Sequence, residues 1–502
     1  MTGFVKEESK TRLLVSAVFT LTLSILGSSV LPVPFAFSRM GVLLGIVTMA
    51  VVAYSNSLTS VLLLRAAGLT GHDSYEGVAY AIGGKYWKVV TQISLIFLLV
   101  GTVIGDFALL ADVGQRALSR LTPGHAPSVL VDHDGRGIMV LLVLLVVFPL
   151  CLLKRMRSLE TAAQAGVLIV AALATIVVVD TVQSGFPAIR SGKLPVWGLK
   201  EGGDLPEAFA VLGFAFYVQP MLMPLLHELP PGPGSVSLTA TAVRIVVIGV
   251  ASLVYGVIGI FGAARYGDRT QGNILVNSWL GGPAEGVLDL AIAAYLSISV
   301  PPMQMSCRYT LDVLIAGEDA PFDRRRHLAE TCLIVFGSLA VALAFPTGAE
   351  KIFAVTGATA VCIVCYVIPV ALHLKLYLSK SGYQLLEAAE SPQLAEPLLQ
   401  GSAEGDAKSL QEQLEVLHES IGVIRNGEEA SCSTSEEGRA RYPVLRHSRG
   451  GRFSLSNALE VVQEVVLPVC VVVLGVGFSL AALYVAMASA IWPDMSPNPD
   501  RT

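Results

Sequence analysis

Ile25-Leu26-Gly27-Ser28-Ser29-Val30-Leu31-Pro32-Val33-Pro34-Phe35 interrupts the first apolar segment of the chain near its middle. Gly27 permits backbone angles closed to other residues, Ser28 and Ser29 offer hydroxyls, and Pro32 and Pro34 have no N–H to donate. At the depth of a bilayer centre such a break leaves backbone polar groups that lipid cannot satisfy. It survives only where protein or a water-filled cavity supplies partners. The stretch is therefore a candidate ion and substrate site, provided that the chain lives in a membrane.

Composition supports that condition. The chain is 53% hydrophobic and 15% charged with a mean hydropathy of +0.65, against about 25% charged for an ordinary soluble domain. Its apolar windows have roughly the 20 residues that a bilayer-spanning helix needs. The net charge of −5 sits in loops, and no basic run points to nucleic acid. Cys151, Cys307, Cys332, Cys362, Cys365 and Cys470 fall inside apolar segments, where they read as small packing residues; only Cys432 is in a polar region. The Cys362-x-x-Cys365 pair is read the same way, so neither a disulfide framework nor a metal site is expected. Lys6, Lys10 and Arg12 precede an apolar run too long for a signal peptide, which makes that run a retained first span.

Hydropathy predicts an all-α polytopic membrane protein of about eleven spans, at 12–36, 41–65, 87–115, 137–153, 160–182, 206–227, 240–264, 284–307, 327–346, 350–377 and 463–492. Basic residues favour a cytoplasmic N-terminus, most clearly through Lys154, Arg155, Arg157 and Arg324, Arg325, Arg326. Residues 1–378 form a ten-span core. Residues 379–457 are rich in Glu, Ser, Gly and Gln and read as a disordered acidic cytoplasmic loop. That loop is the place for a regulatory partner or for phosphorylation, for example at Ser431 and Ser433. Residues 458–502 hold the last span and a short tail.

The sixth span carries a second irregular stretch, Phe214-Ala215-Phe216-Tyr217-Val218-Gln219-Pro220-Met221-Leu222-Met223-Pro224. Two prolines four residues apart, an amide and a phenol lie at membrane depth. Proline alone is common in membrane helices. Interrupted segments five spans apart, however, are the pattern of inverted-repeat transporters, and they divide the core into five plus five.

The same residues resemble the amino acid/auxin permease superfamily. Ser24 to Phe37, followed by Gly41, is similar to the family's first-span opening "N-x-x-x-G-x-G-[IL]-L-x-x-P-[YF]-A-F". Ser74 to Gly84 resembles its "Y-x-x-L-A-x-x-A-F-G" loop, and Phe214 to Leu229 its "F-A-F-x-x-x-P-x-x-x-P-x-x-x-E-L". Ser297-Ile-Ser-Val-Pro-Pro302 leading to Cys307-Arg308 is similar to "T-x-T-V-P-x-x-x-x-P-x-R", and Thr356-Gly357-Ala358-Thr359 is also family-like. The resemblance runs in register through ten spans and is strongest to the sodium-coupled neutral amino acid transporters, in their member-ten-type branch. It implies the leucine-transporter fold, with substrate held where spans one and six unwind.

Candidate roles follow. A half-helix N-terminus exposing amides near Gly27, Ser28, Ser29 and Val30 suits an amino acid carboxylate. Carbonyls freed around Phe214 and Ala215 suit its ammonium. Tyr217 and Gln219 either sense the side chain or are satisfied polar residues facing a neighbouring helix. The chain departs from the family at Leu23, which occupies the place of an Asn at the sodium site; Ser297 and Ser299 keep hydroxyls near the span-eight ligand. Proton coupling requires a titratable group, and Asp106 in span three is the best candidate. The alternative places Asp106 at the outer interface, facing water. Asp112, at the outer end of the same span, reads as structural, and His227 and Glu228 as an inner cap or gate.

Two functional classes remain open at this stage. One is a secondary transporter of neutral amino acids, carrying a proton or sodium as co-transported ion and needing no cofactor. The other is a transceptor that binds an amino acid and signals through the acidic loop. An intramembrane enzyme is not expected, because His72, His125, His133, His418 and His447 lie in loops and the remaining histidines near span ends. No G-x-x-x-x-G-K motif supports ATP-driven transport. Besides the amino acid substrate, the lipid bilayer is the partner the composition requires.

Overall fold

The computed structural model describes residues 2–378 and 461–491, less residue 73, most of 124–133, and 154–159, 198–204, 230–232, 318–319 and 346–347. The acidic loop, the Lys154–Arg157 cluster and the C-terminal tail lie outside the described residues.

The described residues are nearly all helical. In chain order they form α1 (Thr2–Ile25), α2 (Val33–Met40), α3 (Val42–Thr70), α4 (Tyr75–Gly83) and α5 (Lys85–Leu121). Next come α6 (Arg136–Cys151), α7 (Glu160–Gln183), α8 (Leu205–Ala215), α9 (Gln219–Glu228) and α10 (Gly234–Arg269). The last four are α11 (Gly282–Ala316), α12 (Arg324–Ala344), α13 (Ala349–Tyr377) and α14 (Val462–Val485). Among the described residues, nine helical stretches are long and apolar enough to cross a bilayer, and the bent pair Thr11–Ile25 and Ser28–Met40 makes a further crossing. The fourth expected span, α6, is apolar but shorter.

Both expected interruptions are present. The first span stops at Ile25, makes a 3-10 turn over Ser28–Val30 and resumes at Val33, with a 58° bend between its halves. Proline accounts for the resumption: Pro34 sits in the first turn of α2, where a missing N–H costs nothing. The sixth span is broken between Ala215 and Gln219, and Pro220 starts its second half by the same logic.

Close helix packing holds these half-helices. The Phe37 ring of α2 is wedged between Gly45 of α3 and Gly259 of α10; a Cβ at either glycine would sit 2.5 Å from the ring. At Gly357, a Cβ would lie 2.3 Å from the carbonyl oxygen of Ala210, so α13 meets the backbone of α8 directly. Residues 357–367 of α13 are wound in widened π turns, a form that recurs at functional sites.

The last helix is joined to the core. Phe478 stacks on Phe209 of α8 at 4.5 Å, and Gly475 lies against the Tyr366 ring of α13. Glu464 pairs with Arg65 of α3 at 3.2 Å and with His373 of α13 at 3.1 Å. Arg65 is buried, so this pairing spares the interior an isolated charge.

Candidate functional site

Breaking a helix frees carbonyls, and two tyrosines collect them. The Tyr255 hydroxyl of α10 contacts the Ile25 oxygen and lies 3.0 Å from the Ala215 oxygen, one carbonyl from each break. It also lies 2.9 Å from Ser29 Oγ, which itself donates to Ile25 at 2.8 Å. A phenol has one proton and both carbonyls only accept, so that proton serves either break in turn. The Tyr295 hydroxyl of α11 donates to the Leu26 oxygen at 3.1 Å. On the other side of the first break, Ile274 N donates to the Leu31 oxygen at 3.2 Å, which seats the segment after α10 on the unwound turn. Neither tyrosine stood out in the sequence; the available signal was a phenol inside an apolar span, which has to find a partner when buried.

A cavity of about 520 Å³ lies between the breaks. Gly27, Ser28, Ser29, Thr102, Asp106 and Phe214 line its blind end, and Ser16 and Glu228 line it towards the N-terminal half of α1 and the end of α9. Leu26 N donates back to Thr22 at 2.9 Å, and Leu31 N donates to Ser28 at 3.1 Å. The amides of Gly27, Ser28 and Ser29 fall between these bonds. They open the 3-10 turn that leads into the second half-helix, where backbone donors suit an anionic group.

Asp106 lines the same cavity and is only 2% exposed, so it lies in the protein interior rather than at an outer interface. Its carboxyl meets the Ser28 hydroxyl, while its Oδ1 has no hydrogen-bond partner. No lysine, arginine or histidine is among the cavity's described lining residues. Leu23, which resemblance places at a lost sodium ligand, also lines it.

The remaining candidates divide. Tyr217 lines the cavity, with its hydroxyl 3.2 Å from Thr102 Oγ1 and 3.8 Å from Met303 Sδ. Ser299 lines it too, although its hydroxyl donates to Leu296 at 2.9 Å. Ser297 is buried away from the described lining and donates to Ala293 at 2.8 Å. Val30 borders a small separate space beside Tyr295, and the Ala215 oxygen is taken up by Tyr255. Gln219 faces the opposite direction. Its Oε1 caps Val218 N at 3.0 Å, and its amide nitrogen reaches Thr59 Oγ1 at 3.1 Å, Asn56 at 3.4 Å and Cys365 at 3.5 Å. It is a saturated link from α9 to α3 and α13, the second of its two sequence readings. Asp112 lies beside Asn273 and Arg116 towards the C-terminal end of α5.

That end is tied by ion pairs. Arg120 of α5 reaches Asp289 at 2.6 Å and Glu285 at 3.3 Å on α11, and Asp180 of α7 meets Arg265 of α10 at 2.7 Å. Among the described residues, no group of three or more His, Cys, Asp or Glu is placed to hold a metal ion.

Two broken helices meeting at a polar cavity, within a bundle of apolar crossings, define a multi-pass integral membrane protein of the transporter type. The chain belongs to the transmembrane amino acid transporter protein family, whose model matches residues 11–387. It is 25% identical over 382 residues to human "Solute carrier family 38 member 10", a match covering 72% of this chain and 32% of that one. The chain thus spans about a third of the length of the first such relatives. Arabidopsis thaliana "Amino acid transporter AVT6E" is 25% identical over 401 residues, covering 75% of this chain and 78% of the relative. Among solved structures, the nucleobase-cation-symport-1 transporter Mhp1, closed with bromovinylhydantoin bound, superposes with a TM-score of 0.50 at 14% identity. The match covers 82% of this chain and 92% of that one. Mhp1 has the leucine-transporter fold, and the likeness extends to the fold alone.

Proposed function

We propose that the chain is a secondary active transporter of neutral amino acids, working by alternating access and coupled to protons through Asp106. The observation that carries this reading is the cavity bounded by both helix breaks with a buried carboxyl at its blind end. The substrate's carboxylate meets the amides of Gly27 to Ser29. An uncharged side chain packs against Phe214, Met221, Ile298 and Met303. The ammonium faces the hydroxyl oxygens of the wall, where Thr102 and Ser299 spend their protons on their own helices and present lone pairs. Membership of an amino acid transporter family supports this substrate class. The Leu23 side chain has no oxygen to offer sodium, which favours the proton as coupling ion.

The cavity runs towards the N-terminal half of α1, while Arg120 with Glu285 and Asp289 closes the other end. Alternating access would break those pairs and close the cavity's present mouth. The test is uptake of labelled L-alanine or L-glutamine by the purified full chain in liposomes, with sodium and pH gradients imposed separately. Uptake driven by an inside-alkaline gradient is expected. Saturable binding without uptake would overturn the transport reading in favour of a sensor, and uptake that follows sodium alone would overturn the coupling.

A further inference from the structure

The first half-helix carries a hydroxyl at every fourth residue, at Ser16, Thr20 and Ser24, and Ser28 follows at the same spacing in the turn just past the break. Residues four apart share one face of a helix, and all four line the cavity. Burial deepens along the series, with Ser16 exposed, Thr20 and Ser24 half-buried, and Ser28 6% exposed beside Asp106. Thr20 donates to the Ser16 carbonyl at 3.0 Å, and Ser24 donates to the Thr20 carbonyl at 2.9 Å. With those protons committed to the backbone, the oxygens can accept hydrogen bonds from water in the cavity. Asp106 stands at the blind end with Oδ1 unpartnered, and Glu228 stands at the mouth.

We propose that this face of α1 is the floor of a proton half-channel joining Asp106 to Glu228. The inference rests on the proton-coupled reading above and adds its route. Protonated Asp106 gives its proton to a cavity water, the charge moves along waters ordered by Ser28, Ser24 and Thr20, and Glu228 accepts it before release. Asp106 is left as a carboxylate, and no bond other than O–H is made or broken. An ordered water needs two to four polar partners and occupies about 30 Å³, and a cavity of about 520 Å³ accommodates several beside a substrate.

The groups facing each end are consistent with this direction of flow. Around Asp106 stand Thr102 of its own helix, Ser28, Tyr217 and Tyr295, none of them cationic. Glu228 also borders a second cavity of about 780 Å³ on the far side of α9. There it shares the lining with His227 of its own helix, Glu76 of α4, Arg308 and Asp312 of α11, and Asp323, Arg326, His327 and Glu330 around α12. Acidic side chains outnumber the arginines there, so a proton passed from Asp106 arrives in surroundings that favour it.

The experiment compares the wild type, Glu228→Gln and the double variant Thr20→Val/Ser24→Ala in liposomes loaded with a pH-sensitive dye. For each, the rate of alanine uptake driven by a pH gradient is divided by the rate of alanine counterflow exchange at equal pH. The half-channel predicts that this ratio falls roughly tenfold in both variants, the loss of one well-placed proton-transfer contact. A ratio equal to the wild type's in the double variant, with gradient-driven uptake intact, overturns the half-channel and leaves proton coupling standing. A wild type whose uptake ignores the pH gradient overturns the coupling, and the half-channel with it. The double variant keeps side-chain shape closely, so it answers the question even if Glu228→Gln fails to fold.

Discussion

Replacing Tyr255 by Phe removes one oxygen and leaves the ring, with its edge-on contact to Phe216 at 5.0 Å, in place. That oxygen lies 3.0 Å from the Ala215 carbonyl at the end of α8, contacts the Ile25 carbonyl at the end of α1, and lies 2.9 Å from Ser29 Oγ. Ile25 keeps Ser29 as a donor at 2.8 Å, so the loss falls chiefly on Ala215. Hydrogen bonds between membrane helices average about 0.6 kcal/mol and reach about 1.7, whereas a buried acceptor left unsatisfied costs about 1–3 kcal/mol. The two ranges overlap at about 1–1.7 kcal/mol, a factor of roughly 5–20 in an equilibrium. Because the hydroxyl ties the two breaks together, the cost should fall on the arrangement that holds substrate. Tyr255→Phe should therefore raise the KM for alanine uptake by that factor and lower the melting temperature of the purified protein. A KM and a melting temperature both equal to the wild type's would refute the idea that this phenol couples the two half-helix ends.

Three further outcomes follow from packing and charge. Gly259→Leu drives a side chain into the Phe37 ring held between Gly259 and Gly45; overpacking of this kind costs about 1–3 kcal/mol or more, visible as a reduced yield of monodisperse protein. Gln219→Leu leaves Val218 N without its cap and Thr59, Asn56 and Cys365 without their shared donor. It should cost about 1–3 kcal/mol in thermal stability while leaving the order of preference among substrates unchanged in competition assays. Glu464→Gln removes the countercharge of buried Arg65, while His373 keeps its contact with the Glu464 backbone carbonyl at 3.1 Å. Breaking a buried pair costs about 3–5 kcal/mol, so protease cleavage near the start of α14 should accelerate markedly.

Much of the fold was legible because its signals are local. Glycine and proline stop a helix by their own backbone chemistry, so the breaks at Gly27 and Pro220 could be read from sequence. A carboxyl in an apolar run carries its cost wherever it sits, which singled out Asp106. What a residue faces is set by helix rotation and by neighbours far away in the chain, and there the reading failed or stayed open. Gln219 and Tyr217 are two residues apart in one broken span, yet the break turns Tyr217 to the cavity and Gln219 to α3 and α13. Ser297 and Ser299 are also two apart, and only Ser299 reaches the cavity's described lining. Tyr255 and Tyr295 satisfy carbonyls more than two hundred residues away, and nothing near them in sequence announces that role. The hydroxyl series from Ser16 to Ser28 is visible in the sequence as a four-residue repeat, but its meaning depends on Asp106 lying beside its last member.

The central claim is that a proton carried by Asp106 drives amino acid accumulation through this cavity. The most direct measurement is alanine accumulation in liposomes under an imposed inside-alkaline gradient, for the wild type and Asp106→Asn, with counterflow exchange measured on the same preparations. One pH unit is worth about 1.36 kcal/mol, an accumulation of up to roughly tenfold per proton at equilibrium. The account predicts that the wild type accumulates alanine in step with the gradient and that Asp106→Asn exchanges alanine without accumulating it. Gradient-driven accumulation by Asp106→Asn equal to that of the wild type would contradict it.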